Sequence, residues 1–153
     1  MNPVTFSVAL LRPDQIPAAA ELFGAQLAEH HISTSLERVL VVLGQMVADE
    51  RLGFVLVASA PDGKLLGVAY GCAILSVEHG GQSGWLDEFY VRPECRGSGI
   101  GARLLAQFIR VATARGWRAI DLEVEADHQR VVSLYERHGF RPHSRSRFFR
   151  RLP

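Results

Sequence analysis

Hydrophobic positions along this chain alternate, then recur at helical spacing, then alternate again. Residues 4–11 (VTFSVALL) read as a first strand, stopped at Arg12-Pro13. Asp14 is placed to cap a helix running to about His30, with Pro17 in its first turn. Ser33 or Ser35 can cap a second helix, on which Leu36, Val39, Leu40, Leu43 and Val47 recur at helical spacing. Residues 53–60 form the next strand, Pro61-Asp62-Gly63-Lys64 a turn, and residues 65–77 the returning strand of an antiparallel hairpin. A loop with Gly80, Gly81 and Gly84 leads to strand 85–92 (WLDEFYVR), which Pro93 ends. Ile100, Leu104, Leu105, Phe108, Val111 and Ala112 share one face of a helix closed by Gly116. Residues 119–125 alternate Ile120, Leu122 and Val124 with Asp121, Glu123 and Glu125, as a strand with one buried face does. A short helix at 129–138 is stopped by Gly139, and a final strand pair is expected from Phe140 onward. The hairpin requires antiparallel strands, and the strand–helix–strand run over 85–125 requires a parallel pair. The fold class is therefore α/β: a mixed sheet with helices on both faces.

Composition narrows the class of protein. With 153 residues, 48% hydrophobic and 22% charged, the chain suits one globular domain spanning 1–153. The net charge of +1 creates no field calling for nucleic acid or membrane. No apolar run approaches the ~20 residues of a membrane-spanning helix. The N-terminal stretch lacks the basic start of a secretory signal, so a cytoplasmic location is expected. Cys72 and Cys95 are too few for a disulfide framework or a four-ligand zinc site, and no metal is expected. Charge is uneven: residues 141–153 hold Arg141, Arg145, Arg147, Arg150 and Arg151 and no acid, leaving 12 basic against 16 acidic residues elsewhere. This basic end reads as a solvated terminal strand; an RNA contact or an anion-binding rim is the alternative.

The segment with most chemical content is Arg96-Gly97-Ser98-Gly99-Ile100-Gly101, between a strand and a helix. Its glycines let the backbone approach a ligand without Cβ clashes. The N–H groups of the following helical turn point into the loop at the positive end of the helix dipole, which suits a pyrophosphate. Arg96 can fork onto phosphate oxygens. Gly97, Gly99 and Ala102 also satisfy the loose dinucleotide pattern, with Asp121 as a ribose carboxylate. Only residues 98–153 follow Gly97, room for little more than one further strand–helix unit, and the loop opens with Arg-Pro-Glu-Cys-Arg rather than turning straight into glycine. No P-loop motif exists in the chain.

Val91-Arg92-Pro93, Arg96-Gly97-x-Gly99-Ile100-Gly101 and Leu104-Leu105 resemble the acetyl-CoA loop of the GCN5-related N-acetyltransferases. Leu134-Tyr135-Glu136-x-x-Gly139-Phe140 is similar to that family's later motif, and the likeness covers about residues 85–140. It implies that strands 85–92 and 119–125 are parallel and splay apart, admitting the pantetheine arm. The backbone of Phe89, Tyr90 and Val91 would pair with that arm, and the Val91 N–H would stabilise the oxyanion. Residues Arg96, Gly97, Ser98, Gly99, Ile100 and Gly101 would hold the pyrophosphate. Tyr135 matches the tyrosine that protonates the departing thiolate. His128 stands where the family often has Asn; it would hydrogen-bond the cofactor or act as a base. Homodimerisation, frequent in the family, would use the last strands.

The chemistry itself requires a base. An alkylammonium of pKa ~10.4 costs about 4 kcal/mol to deprotonate at pH 7.4. Asp87 and Glu88 are the candidates; strict alternation places Asp87 on one face with Phe89 and Val91 and favours it slightly. With Glu123 and Glu125 they would make the acceptor end negative. Adjacent His30 and His31 do not share a helical face, and Cys95 reads as an ordinary loop cysteine. The expected function is transfer of acetyl from acetyl-CoA to a primary amine of a small molecule or peptide. The alternatives are a non-catalytic acyl-CoA-binding module, an RNA-binding protein and a dinucleotide oxidoreductase.

Overall fold

A computed structural model describes residues 5–126 and 128–153. Val4, first residue of the expected strand, lies outside them. The chain separates into two compact units, residues 1–123 and 124–153.

The first unit is a five-stranded sheet in the order β1-β2-β3-β4-β5. Its strands are β1 (Ser7–Leu10), β2 (Gly53–Ser59), β3 (Leu65–Ser76), β4 (Gly81–Val91) and β5 (Ile120–Asp121). The first three pairings are antiparallel and β4–β5 is parallel. Helices α1 (Ile16–Glu29) and α2 (Leu36–Ala48) carry Ala19, Leu22, Phe23, Leu43 and Met46 into one core with Val55, Val57, Val68 and Tyr90. Helix α3 (Ile100–Ala114) covers the opposite face, where Phe108 stacks 4.6 Å from Phe54 and 6.1 Å from Trp117. Covered on both sides, β2 is buried at every residue but the last, which explains its unbroken apolar run.

Helix ends follow local chemistry. Ser35 caps α2 by accepting from the Arg38 N–H at 3.3 Å. Asp14 does not cap α1: it lies in a 3-10 turn, Pro13–Gln15, and pairs with Arg12 at 3.0 Å, while Gln15 takes the cap position. His31 ends α1 at φ +56, the left-handed C-terminal position, with Ile32 N–H bonded to Leu27 O and His31 N–H to Ala28 O. Gly116, at φ +76, closes α3 the same way and turns Trp117 onto the core.

The first strand is shorter than expected, Ser7–Leu10 rather than 4–11, and the boundaries of β4 and β5 differ more. β4 begins at Gly81, before the glycines end, because neighbours fill the side-chain space: a Cβ on Gly84 would lie 1.8 Å from the Trp117 ring. β5 keeps only two residues of the expected 119–125, paired to Gly84 and Trp85. Alternation marks an extended chain, but a strand also needs a partner, and β4 pairs with it no further. In the second unit a 3-10 turn (Gln129–Val131) precedes α4 (Val132–Arg137), ended by Gly139 at φ +87 with Tyr135 packed 5.8 Å from Phe140. The strand pair expected from Phe140 onward does not form: residues 140–153 carry no regular element, and 141–153 are exposed.

Candidate active site

The end of β4 is the site's frame. The Arg92 N–H bonds to Leu66 O on the β3 side, so the Tyr90–Val68 pair is likewise turned inward and Phe89 and Val91 direct their N–H and C=O groups away from β3. Since β5 reaches only Gly84 and Trp85, no strand among the described residues pairs with that edge of β4 at Val91. Of the three residues expected to pair with a ligand arm, Phe89 and Val91 have the required backbone direction. Tyr90 does not; its backbone belongs to the sheet.

A β-bulge rearranges the acids. Tyr70 faces Glu88 and Gly71 faces Leu86, leaving Asp87 as the extra residue. Gly71 points at α3, where a Cβ would lie 2.3 Å from Phe108; Tyr70 points at α1, edge-on to Phe23 at 6.0 Å. The bulge therefore turns Glu88 to the α1 face with Tyr90 and leaves Asp87 exposed. The face expected for Asp87, shared with Phe89 and Val91, is corrected: strict alternation fails where one residue is inserted. Asp87 and Glu88 both act on Tyr70 and Cys72. The Tyr70 hydroxyl is pushed up first by burial, then by its bond to Cys72 and by the two carboxylates. The Cys72 thiol is raised by burial, against the lowering effect of Tyr70.

Helix α1 adds two residues that the sequence reading passed over. Gln26, 5% exposed, donates its amide N–H to Glu88 Oε2, while its Oε1 is buried with no hydrogen-bond partner among the described residues. An unmet buried acceptor costs about 1–3 kcal/mol. One turn on, Glu29 accepts from Tyr90 Oη at 3.0 Å and from Arg96 at 3.0 and 3.1 Å. Burial would raise the Glu29 carboxyl, but Arg96 and Tyr90 outweigh it and hold it below the usual range. The signal for Gln26 was present: a polar residue three and four positions after Phe23 and Leu22 on an apolar stripe.

The glycine loop has the expected backbone. Gly97 and Gly99 stand at φ +79 and +86, and a Cβ on either would meet nothing within 4 Å, so their outer side is open. The first backbone bond closing α3 is Arg103 N–H to Gly99 O, which leaves the N–H groups of Ile100, Gly101 and Ala102 ahead of the helical ladder. Such a cradle fits a pyrophosphate. Ser98 Oγ donates to Cys95 O. The Arg96 fork does not face this cradle. It is spent on Glu29 and, through Nε, on Val91 O at 2.9 Å, with its guanidinium 5.4 Å above the Tyr90 ring.

Thus the first unit brings together Asp87, Glu88, Tyr90, Val91 and residues 96–101 with Gln26 and Glu29. Tyr135 and His128 belong to the second unit. Tyr135 is buried, which pushes its hydroxyl up to about 12. His128 Nδ1 lies 3.2 Å from Glu125 Oε2. No described helix is long and apolar enough to cross a membrane.

The model of the Acetyltransferase (GNAT) family matches residues 19–140. A mycothiol acetyltransferase of Clavibacter michiganensis subsp. michiganensis is 39% identical over 89 residues, 56% of this chain and 26% of its own. The matched segments span between 24% and 48% of the length of the curated relatives. Among solved structures, an integron cassette protein from the mobile metagenome of Cole Harbour Salt Marsh superposes with a TM-score of 0.84 at 23% identity, covering 95% of this chain and 90% of the other. A predicted acetyltransferase from Clostridium acetobutylicum, solved with acetyl-CoA, gives 0.79 at 16% identity, with 95% and 96% covered. At these identities the structures speak for the fold.

Proposed function

Because the chain belongs to the acetyltransferase (GNAT) family, we propose that it transfers an acetyl group directly from acetyl-CoA to a primary amine. One observation carries this reading: the outward-directed edge of β4 at Val91 lies in the same unit as a glycine loop open on its outer side and a carboxylate held at the bulge. Acetyl-CoA is the cosubstrate, its pyrophosphate taken by the N–H groups of residues 97–101 and its pantetheine arm by the backbone of Phe89 and Val91.

Glu88 receives the proton of the attacking ammonium, directly or through one water, with Asp87 adding negative charge at the acceptor end. The neutral nitrogen attacks the thioester carbonyl carbon and a C–N bond forms. The Val91 N–H stabilises the negative oxygen. The C–S bond then breaks and the thiolate takes a proton from Tyr135, whose phenolate is restored by the second proton leaving the nitrogen as the amide forms. Free thiol and an acetamide are the products. The acceptor is a small molecule or peptide bearing a primary amine.

Calorimetric titration with acetyl-CoA, followed by thiol release across a panel of polyamines, amino acids, aminoglycosides and peptide N-termini, tests the reading. One-to-one binding and amine-dependent thiol are expected. Binding without release from any amine would favour an acyl-CoA-binding module. No binding by folded protein would remove both readings.

A further inference from the structure

Glu29 is the last residue of α1, at a helix end whose dipole favours cations. A carboxylate there is locally unfavourable, and what compensates it comes from elsewhere in the fold. Tyr90 Oη donates to Glu29 Oε1 at 3.0 Å, and Arg96 Nη2 donates to both carboxylate oxygens at 3.0 and 3.1 Å. The same guanidinium donates through Nε to Val91 O at 2.9 Å and lies 5.4 Å above the Tyr90 ring. Glu29 therefore holds the side chain of Tyr90 directly and the carbonyl of Val91 through Arg96.

Between those two attachments lies one peptide group, and it carries the Val91 N–H. The β3 side of this strand end is fixed as well: Arg92 N–H bonds to Leu66 O at 2.9 Å and Arg92 Nε to Leu65 O at 2.7 Å. On the outer side no strand among the described residues pairs with Val91, and the Glu29–Arg96 arm takes its carbonyl instead. A strand end held on one edge alone frays, and fraying would turn the N–H away from a carbonyl set against it. A donor stabilises a developing oxyanion to the extent that it is already aimed. The Glu29–Arg96 pair is about one-third exposed and adds little to stability, so its effect belongs to geometry more than to Tm.

We infer that Glu29 is a positioning residue for the transfer step: acting through Arg96 and Tyr90, it fixes the Val91 N–H in the direction that meets the thioester oxygen. This rests on the reading of that N–H as the oxyanion donor.

The test compares wild type with Glu29→Gln, Arg96→Gln and the double variant, using the panel amine that releases most thiol. Two donors are used: acetyl-CoA, and S-acetylpantetheine, which has the thioester arm but no phosphate. Glu29→Gln is expected to lower kcat about tenfold while the acetyl-CoA Kd stays within about twofold of wild type. The loss in kcat/KM should agree within about threefold between the donors, since the arm acts on the thioester end. The double variant should fall no more than about twofold below Arg96→Gln, because both residues act through one arm. In NMR relaxation of the unliganded protein, the Val91 amide order parameter should fall from about 0.85 toward about 0.6 in Glu29→Gln, with that of Leu56 in β2 unchanged. Wild-type kcat in Glu29→Gln, a loss of acetyl-CoA affinity alone, an unmoved Val91 order parameter, or losses that multiply in the double variant overturns the inference. So does a loss seen with acetyl-CoA and absent with S-acetylpantetheine, which would place Arg96 on the phosphates. If the wild type binds acetyl-CoA yet releases no thiol with any amine, the transfer reading itself fails, and the inference falls with it.

Discussion

Replacing Gly99 by alanine separates backbone conformation from steric space. Gly99 stands at φ +86 and ψ −4 immediately before α3, and an added Cβ meets nothing within 4 Å. The substitution therefore carries a conformational cost and no clash. For a non-glycine residue in the left-handed region that cost is about 1–2 kcal/mol. Two responses are open to the variant. If the loop keeps its shape, stability falls by that amount, a drop in Tm of about 2–8 °C at this chain length. If the loop relaxes, its N–H groups turn away, and a ligand must restore the strained shape on binding. The binding penalty then approaches the strain energy, a rise in the acetyl-CoA Kd of about 5- to 30-fold. Gly63 supplies the control. It stands at φ +89 in the β2–β3 turn, with equally open space, so Gly63→Ala has the same backbone cost away from the loop. Thermal melts and calorimetric titrations of both variants decide the matter. Gly99→Ala should lose stability, acetyl-CoA affinity or some of each, whereas Gly63→Ala should lose stability alone. A Gly99→Ala protein with wild-type Tm and wild-type Kd would refute the conformational argument, and equal weakening of acetyl-CoA by both variants would refute the loop as the phosphate cradle.

Other consequences follow from the same structure. Gly84→Ala drives a Cβ to 1.8 Å from the Trp117 ring and should destabilise by about 1–3 kcal/mol or more; a urea midpoint equal to wild type would contradict the packing at β4–β5. Glu29→Gln removes the partner of Arg96, a pair about one-third exposed and worth roughly 1 kcal/mol or less. Because the Glu29 carboxyl is lowered in the folded protein, its contribution is present above its unfolded pKa and lost as pH falls through the folded one, so the wild-type advantage in urea melts should shrink below about pH 4; an advantage constant from pH 7 to pH 3 would show that the pair contributes nothing. Tyr135→Phe should lower turnover by up to about 10²-fold with acetyl-CoA affinity nearly unchanged, and unchanged turnover would remove the acid role.

Legibility in the sequence tracked how local each cause was. Ser35 as a cap, Gly116 and Gly139 as helix stops, and the Pro61–Lys64 turn depend on residues within a few positions of one another. So does the glycine loop, whose left-handed backbone follows from the absence of side chains at 97 and 99. The motif residues at 96–101 and 134–140 made the family recognisable before any fold was drawn. Errors arose where a distant partner decides. Asp14 is the local exception: it reads as a cap, yet Arg12, only two positions before it, takes its carboxylate. Alternation over 119–125 reads as a strand, yet only β4 can confirm it, and β4 pairs with two residues.

The same division holds for the chemistry. Residue order alone establishes that Asp87 and Glu88 stand beside each other shortly before a CoA-type loop, and that an arginine opens that loop. Which acid turns toward α1 was decided by a bulge, set by the register between Tyr70–Gly71 and Leu86–Glu88. Where Arg96 points was decided by Glu29, 67 positions away in the chain. A side chain's direction on a strand follows from the period of two only while pairing is regular, and a charge finds its partner by proximity in space. Both depend on contacts between segments that the order of residues does not encode locally.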